Sequence, residues 1–272
     1  FEFSNLDFNQ EVIKFKSKLN IKEAFSDSPL NAFIELENLE IINSKIIKIF
    51  PISYHDQISK SFQKYESFEG SGTFSFEESQ LKTNLQLING DTSIANESLF
   101  DIKIDKEAIK LISFEGVSEI KKFDLSNLHP KLGFVTSQFM ISGNCYDEKG
   151  FNFNFVIDEL LLDDKLINNI IFHGELKERE FTADFRIDDE YISASSAMAY
   201  SWAEDQRKYQ IDLNLEQLNL HLLDVQLGGG KAIYSGDLNL FLVGNSFDEI
   251  QGNILFKNFQ FENQNQVDFF ND

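Results

Sequence analysis

"YSGDLNLFLVGNSFDEIQGNILFKNFQFEN", residues 234–263, carries the pattern that decides the fold. Leu238, Leu240 and Leu242 alternate with polar neighbours such as Asp237 and Asn239, so an extended chain puts the leucines on one side. A turn is expected after Gly244, and Ile254 and Phe256 resume the alternation beyond Gly252. Two adjacent strands, each with one apolar face, follow from this period of two. What that face touches is the functional question.

The same pattern runs through most of the chain. "FEFSNLDF" opens it, and "GTFSFEESQLKTNLQLING" sets Phe74 and Phe76 with Leu81, Leu85 and Leu87 before a stop at Asn89 and Gly90. "FNFNFVID" places Phe151, Phe153, Phe155 and Ile157 together, and "FTADFRID" does so with Phe181, Ala183, Phe185 and Ile187. "YQIDLNLEQLNLHL" alternates through Tyr209, Ile211, Leu213 and Leu215, changes phase at Glu216 and Gln217, and continues at Leu218. Such a change of phase is a bulge or a short turn. In "YISASSAMAYSWAED", Ile192, Ala194, Met198, Tyr200 and Trp202 share one face, and small residues the other. A central strand covered on both sides is one reading of that run. Glycines between the runs fall at the spacing of successive strands in an all-β chain. One helix is expected, where Ile58, Phe62 and Tyr65 recur at helical spacing in "HDQISKSFQKYESF".

Composition narrows the function classes. Hydrophobic residues make up 42% of the 272, enough to exclude a wholly disordered chain. The aromatic residues are 29 Phe against 7 Tyr and 1 Trp, a choice of large apolar area without a polar handle. A formal net charge of -21 argues against nucleic acid, whose binding rests on basic contacts to phosphate. It also disfavours long-range docking on anionic lipid surfaces. The single Cys145 allows no intrachain disulfide and is expected to be a small buried hydrophobe. No stretch approaches the ~20 apolar residues of a membrane-spanning helix. The chain starts without an initiator Met or a signal peptide, as a piece of a longer protein does.

No catalytic constellation is visible. His55, His129, His173 and His221 are scattered, without a second ligand at metal spacing. His129 precedes Pro130 and reads as turn chemistry, and "LGGGKAIYSG" lacks the spacing of a phosphate-binding loop. Asp163–Asp164 and Asp188–Asp189 fall in turns, with too few grouped oxygens for Ca²⁺. Neither an enzyme, nor a metal, nor a cofactor is expected.

The order of parts resembles a known family. The strand closing in "ISGN", the "FNFNF" strand, the unit "NIIFHGELKEREFTADFRIDDEYISA" and then "YQIDLNLEQLNLHLLD" are similar to the periplasmic portion of the TamB proteins. These belong to the AsmA-like superfamily, and the likeness is to the Bacteroidota versions. The opening quotation looks like the next unit in those proteins. The resemblance covers the chain from Phe50 onward and, more loosely, the residues before it. It lies in pattern rather than in an invariant motif. The family's N-terminal anchor and its C-terminal conserved domain are absent from this sequence.

The resemblance implies an all-β chain, one continuous segment over residues 1–272, forming an elongated, folded-over and mostly antiparallel sheet with a hydrophobic concave face. It implies a periplasmic protein, held in the inner membrane by an N-terminal helix not present here, that bridges the two membranes. Phospholipid acyl chains would be the cargo. A BamA-like or TamA-like outer-membrane barrel would be the partner, reached through regions outside this segment. The residues expected to line the groove are Phe151, Phe153, Phe155, Met198, Tyr200, Ile211, Leu213, Leu215, Leu238, Leu240, Leu242, Ile254 and Phe256. Physical chemistry points the same way, because a many-stranded sheet with few helices must fold on itself or leave a large apolar patch. Acyl chains gain about 0.8 kcal/mol per buried CH₂ and need no polar site. Two rival readings are a β-solenoid packed by its own side chains, and a scaffold that offers sheet edges to nascent barrel strands.

Overall fold

The computed structural model describes residues 2–9, 13–22, 31–42, 64–104, 109–145, 150–203, 206–219, 233–245, 251–263 and 266–270. Among them are sixteen strands and no helix. The first eight are β1 (Glu2–Asn9), β2 (Ile13–Lys22), β3 (Asn31–Ile42), β4 (Ser67–Glu77), β5 (Gln80–Asn89), β6 (Thr92–Ile104), β7 (Ile109–Asp124) and β8 (Leu132–Asn144). The others are β9 (Gly150–Leu162), β10 (Lys165–Lys177), β11 (Glu180–Asp188), β12 (Ile192–Ala203), β13 (Gln206–Asn219), β14 (Ile233–Val243), β15 (Gln251–Asn263) and β16 (Gln266–Phe270). The helix expected around Ile58 and Phe62 lies outside the described residues; Tyr65 at its end is described.

The strand order is the chain order, from β1 to β16. The registered pairs are antiparallel. Where connections are two residues long, as between β4 and β5 or β5 and β6, they enforce antiparallel neighbours, since parallel ones need a crossover. Between β4 and β5 the two linking residues, Glu78 and Ser79, both take positive φ (49° and 80°). That is the mirror-image turn whose twist suits a hairpin. Gly90 (φ 57°) opens the next two-residue link, at the Asn89–Gly90 stop expected from sequence.

The chain packs as two units, Phe1–Asp147 with Glu159–Asp164, and Glu148–Asp158 with Lys165–Asp272. In the first, cross-strand partners bring the alternating apolar residues onto one face. Leu39, Gly70, Leu87, Ile94 and Ile120 form one row across five strands. Beside it lies a small closed core. Phe68 is 2% exposed and its ring centroid is 5.1 Å from that of Tyr65, which is 5.1 Å from Phe123. The Tyr65 hydroxyl lies 3.2 Å from Thr92 Oγ1 and accepts the Asp124 amide at 2.7 Å. Thr92 donates onward to the Lys122 carbonyl at 2.9 Å, so the buried polar atoms are satisfied. Gly70 has no room for a side chain, because a Cβ there would stand 1.8 Å from the Gln86 carbonyl oxygen.

One local device recurs in both units. Leu36-Glu37-Asn38-Leu39, Ile120-Lys121-Lys122-Phe123, Ile167-Asn168-Asn169-Ile170, Leu215-Glu216-Gln217-Leu218 and Phe256-Lys257-Asn258-Phe259 each space two apolar residues by three. Strict alternation would throw the second one to the wrong face. The registers shift at four of these sites, two residues on one strand opposing one on its neighbour. Asn38, Lys122, Asn169 and Asn258 take φ near 50°, which absorbs the extra residue and returns the alternation to phase. The phase change read at Glu216 and Gln217 is therefore a bulge. Asparagine tolerates this backbone, but lysine has no such allowance. Lys122→Gly is expected to raise stability by about 0.5 kcal/mol, relief of left-handed strain outweighing glycine's entropy. A urea midpoint that falls in this variant would show that the strain is already offset.

Two expectations are corrected. Cys145 is exposed rather than a buried hydrophobe. It stands just past the end of β8, where its amide still bonds the Ile112 carbonyl at 2.8 Å but the chain is leaving the sheet. The run from Ile192 is likewise not covered on both sides: Ser195 and Ala197 on its polar face are exposed.

Candidate apolar binding face

In the second unit the registers from β10 to β15 assemble three extended rows, one residue per strand. Gly174, Ala183, Met198, Ile211, Leu240 and Ile254 make the first. Phe172, Phe185, Ser196, Leu213, Leu238 and Phe256 make the second. Leu176, Phe181, Tyr200, Tyr209, Leu242 and Gly252 make the third. Leu215 lies two residues along β13 from Leu213, in line with Ala194 and Ile187. Directly opposed residues share a face, so Met198, Tyr200, Ile211, Leu213, Leu215, Leu238, Leu240, Leu242, Ile254 and Phe256 all do.

Phe153 joins them from β9. Its ring stacks on Phe172 at 5.5 Å and on Phe181 at 6.0 Å. It covers Gly174, where a Cβ would come within 2.2 Å of the ring, next to the small Ala183. The glycine thus clears a seat for the phenylalanine. Phe151, with its ring 6.1 Å from Phe153, and Phe155 fall on the same side by alternation. All thirteen residues singled out from sequence therefore lie on one face. Sequence reading missed Leu176, Phe172, Phe181, Phe185 and Tyr209 as members. Alternation already groups Phe181 with Phe185 in "FTADFRID" and Tyr209 with Ile211, whereas in β10 the left-handed Asn169 and a glycine obscure the period.

The face is only partly covered. The buried apolar residues of this unit among those described are Ile167, Ala183, Ile187 and Ala194, none of them aromatic. Most large side chains in the rows are half-buried, and Ile254 and Phe256 are 57% and 56% exposed. Across the described registers of β10 to β15, Arg207 is the one charged residue on this face. It stands opposite Trp202, and Trp202 and Tyr209 stack on Tyr200 at 5.3 and 4.8 Å.

The reverse face is mostly polar, though Ile171, Phe241 and Leu255 are exposed on it, and its polar side chains tie the strands from behind. Asn239 and Gln210 donate to Asp212 at 2.8 and 2.9 Å, and Asn214 and Asn258 donate to Asp237 at 2.7 Å each. These bonds hold both carboxyl groups below the usual carboxylate range, with Gln210 the larger influence on Asp212 and Asn214 on Asp237. The other polar candidates serve turns. Asp189 accepts the amides of Asn168 and Tyr191 at 3.0 and 3.1 Å, and His129 Nδ1 accepts the Lys131 amide at 3.2 Å. His173 is exposed on the polar face, opposite Asp184. His55, His221 and the run from Leu227 to Lys231 lie outside the described residues. Among the described residues no three of His, Cys, Asp and Glu come together as metal ligands, and no helix is long and apolar enough to cross a membrane.

Searches among protein-family models, curated proteins and solved structures found no match to this chain.

Proposed function

We propose that the chain is a segment of a TamB-like, AsmA-like periplasmic protein whose apolar face carries phospholipid acyl chains between the inner and outer membranes. It performs no covalent chemistry. The observation that supports this is the composition of the rows on β10 to β15: apolar or small throughout, uncharged but for Arg207, and left half-open among the described residues. A surface of this kind on a chain of net charge -21 is costly to leave in water. Acyl chains cover it without specific polar contacts, and the same uniformity lets them slide. The antiparallel chain-order pairing favours this reading over a β-solenoid, in which successive coils stack in parallel. The periplasmic location, the inner-membrane anchor and an outer-membrane barrel partner of the BamA or TamA kind, through which the protein aids outer-membrane assembly, rest on the family resemblance.

Extraction of the protein purified without detergent, followed by mass spectrometry, is the direct test. Phospholipid is expected at about one molecule or more per chain. Protein that carries none, and acquires none on incubation with phosphatidylethanolamine–phosphatidylglycerol vesicles, overturns the reading.

A further inference from the structure

The one charge on the apolar face across the described registers of β10 to β15 has a particular place. Arg207 is the second residue of β13 and its Cα partner is Trp202, near the end of β12, so both stand where the rows run out. Trp202 is half-buried and Arg207 exposed. Behind them the rings of Tyr200 and Tyr209 continue the stack toward Ile211 and Met198. Tryptophan and tyrosine pair an apolar body with a polar tip, and they suit a boundary between dry and wet surroundings. Trp202 is the only tryptophan of the chain.

We propose that this arginine–aromatic corner holds the phosphate ester of a phospholipid whose acyl chains lie along the rows, a deepening that rests on the acyl-chain reading of the face. A guanidinium presents paired N–H groups that match two phosphate oxygens, and it lies flat against aromatic rings without losing them. From Arg207 to Leu215, the eight residue-to-residue steps of β13 give about 27 Å of apolar strip at ~3.4 Å per step. One leaflet's share of a bilayer core is about 15 Å, so chains that start at Arg207 stay on the strip to their ends. The overall negative charge does not forbid an anion there. At physiological salt the diffuse field decays over about 8 Å, whereas the arginine acts at contact.

Trp202 supplies the readout. Binding of dioctanoyl phosphatidylglycerol and of dioctanoyl glycerol, which has the same chains and no phosphate, is followed by tryptophan fluorescence, with brominated-chain versions as quenchers. The wild-type protein is expected to bind the phospholipid about tenfold more tightly than the diacylglycerol. Arg207→Gln is expected to bring the two within about twofold by weakening phospholipid binding alone, and Arg207→Lys to keep part of the preference. Inorganic phosphate at millimolar concentration is expected not to displace the lipid, because it brings no chains. Equal wild-type affinities for the two lipids, or a preference that survives in Arg207→Gln, overturns the headgroup assignment while leaving the acyl-chain reading intact. Failure of both lipids to bind removes both. Arg207 is exposed near a strand end, and circular dichroism checks that its variants keep the fold.

Discussion

Leu240→Arg is expected to abolish phospholipid carriage while lowering stability by no more than about 1.5 kcal/mol. Leu240 sits mid-row between Ile211 and Ile254, and it is half-buried rather than sealed. Removing it forfeits two cross-strand pairs, each contributing roughly 0.2–1 kcal/mol. The arginine that replaces it can lean its stem along the apolar surface and keep its guanidinium wet. Acyl chains have no such freedom. A chain laid along the row must either desolvate the charge or detour around it, at a cost of several kcal/mol, more than a hundredfold in occupancy. Phe153→Asp tests the same idea from the β9 side. The paired measurement is a urea midpoint and the phospholipid recovered by mass spectrometry. Collapse of the fold in Leu240→Arg would mean that the row is an ordinary sealed core, since a charge confined there costs 3 kcal/mol or more. Normal lipid recovery would mean that the row does not carry chains.

Phe68→Ala is expected to show the opposite balance. Phe68 is 2% exposed and packs on Tyr65 in a closed cluster, and truncating a sealed phenylalanine costs about 3–5 kcal/mol. Loss of this magnitude takes a large part of the 5–15 kcal/mol typical of a folded domain. The second unit is untouched by the substitution, so any lipid held on β10 to β15 should stay with the fraction that remains folded. Ile254→Ala is the matched control. Ile254 is 57% exposed, and its truncation should cost under about 1 kcal/mol. Comparable costs for the two variants would show that the faces of the two units are sealed to the same degree.

The contrast between these variants also marks what was legible in the sequence. Leu238, Leu240 and Leu242 announce a strand and a face because the side-chain period of an extended chain is two, a property of the backbone alone. Thirteen residues chosen on that basis lie on one face in the second unit, since antiparallel pairing carries parity from each strand to the next. Where the period broke, sequence reading weakened. Glu216 and Gln217 were recognisable as a bulge or a short turn, but Asn38, Lys122, Asn169 and Asn258 were not. Each hides in a polar pair between apolar residues, and only the backbone shows that one member of the pair turns left-handed. The Glu78–Ser79 turn escaped notice for a related reason: neither residue is a usual occupant of positive φ.

By itself, then, the sequence determined the class of the protein: an all-β chain of alternating strands, with one apolar side. Those properties are local, set within a few residues by steric periodicity and side-chain chemistry. The tertiary structure decided how much of that side is sealed. Phe68 in β4 and Phe256 in β15 are the same side chain on the same extended backbone, yet one is 2% and the other 56% exposed, because burial depends on what the rest of the chain brings alongside. It also decided that Gly174 seats Phe153, that Cys145 faces solvent and that Arg207 stands opposite Trp202. Registers make such meetings, and a register is a long-range choice that no single segment contains.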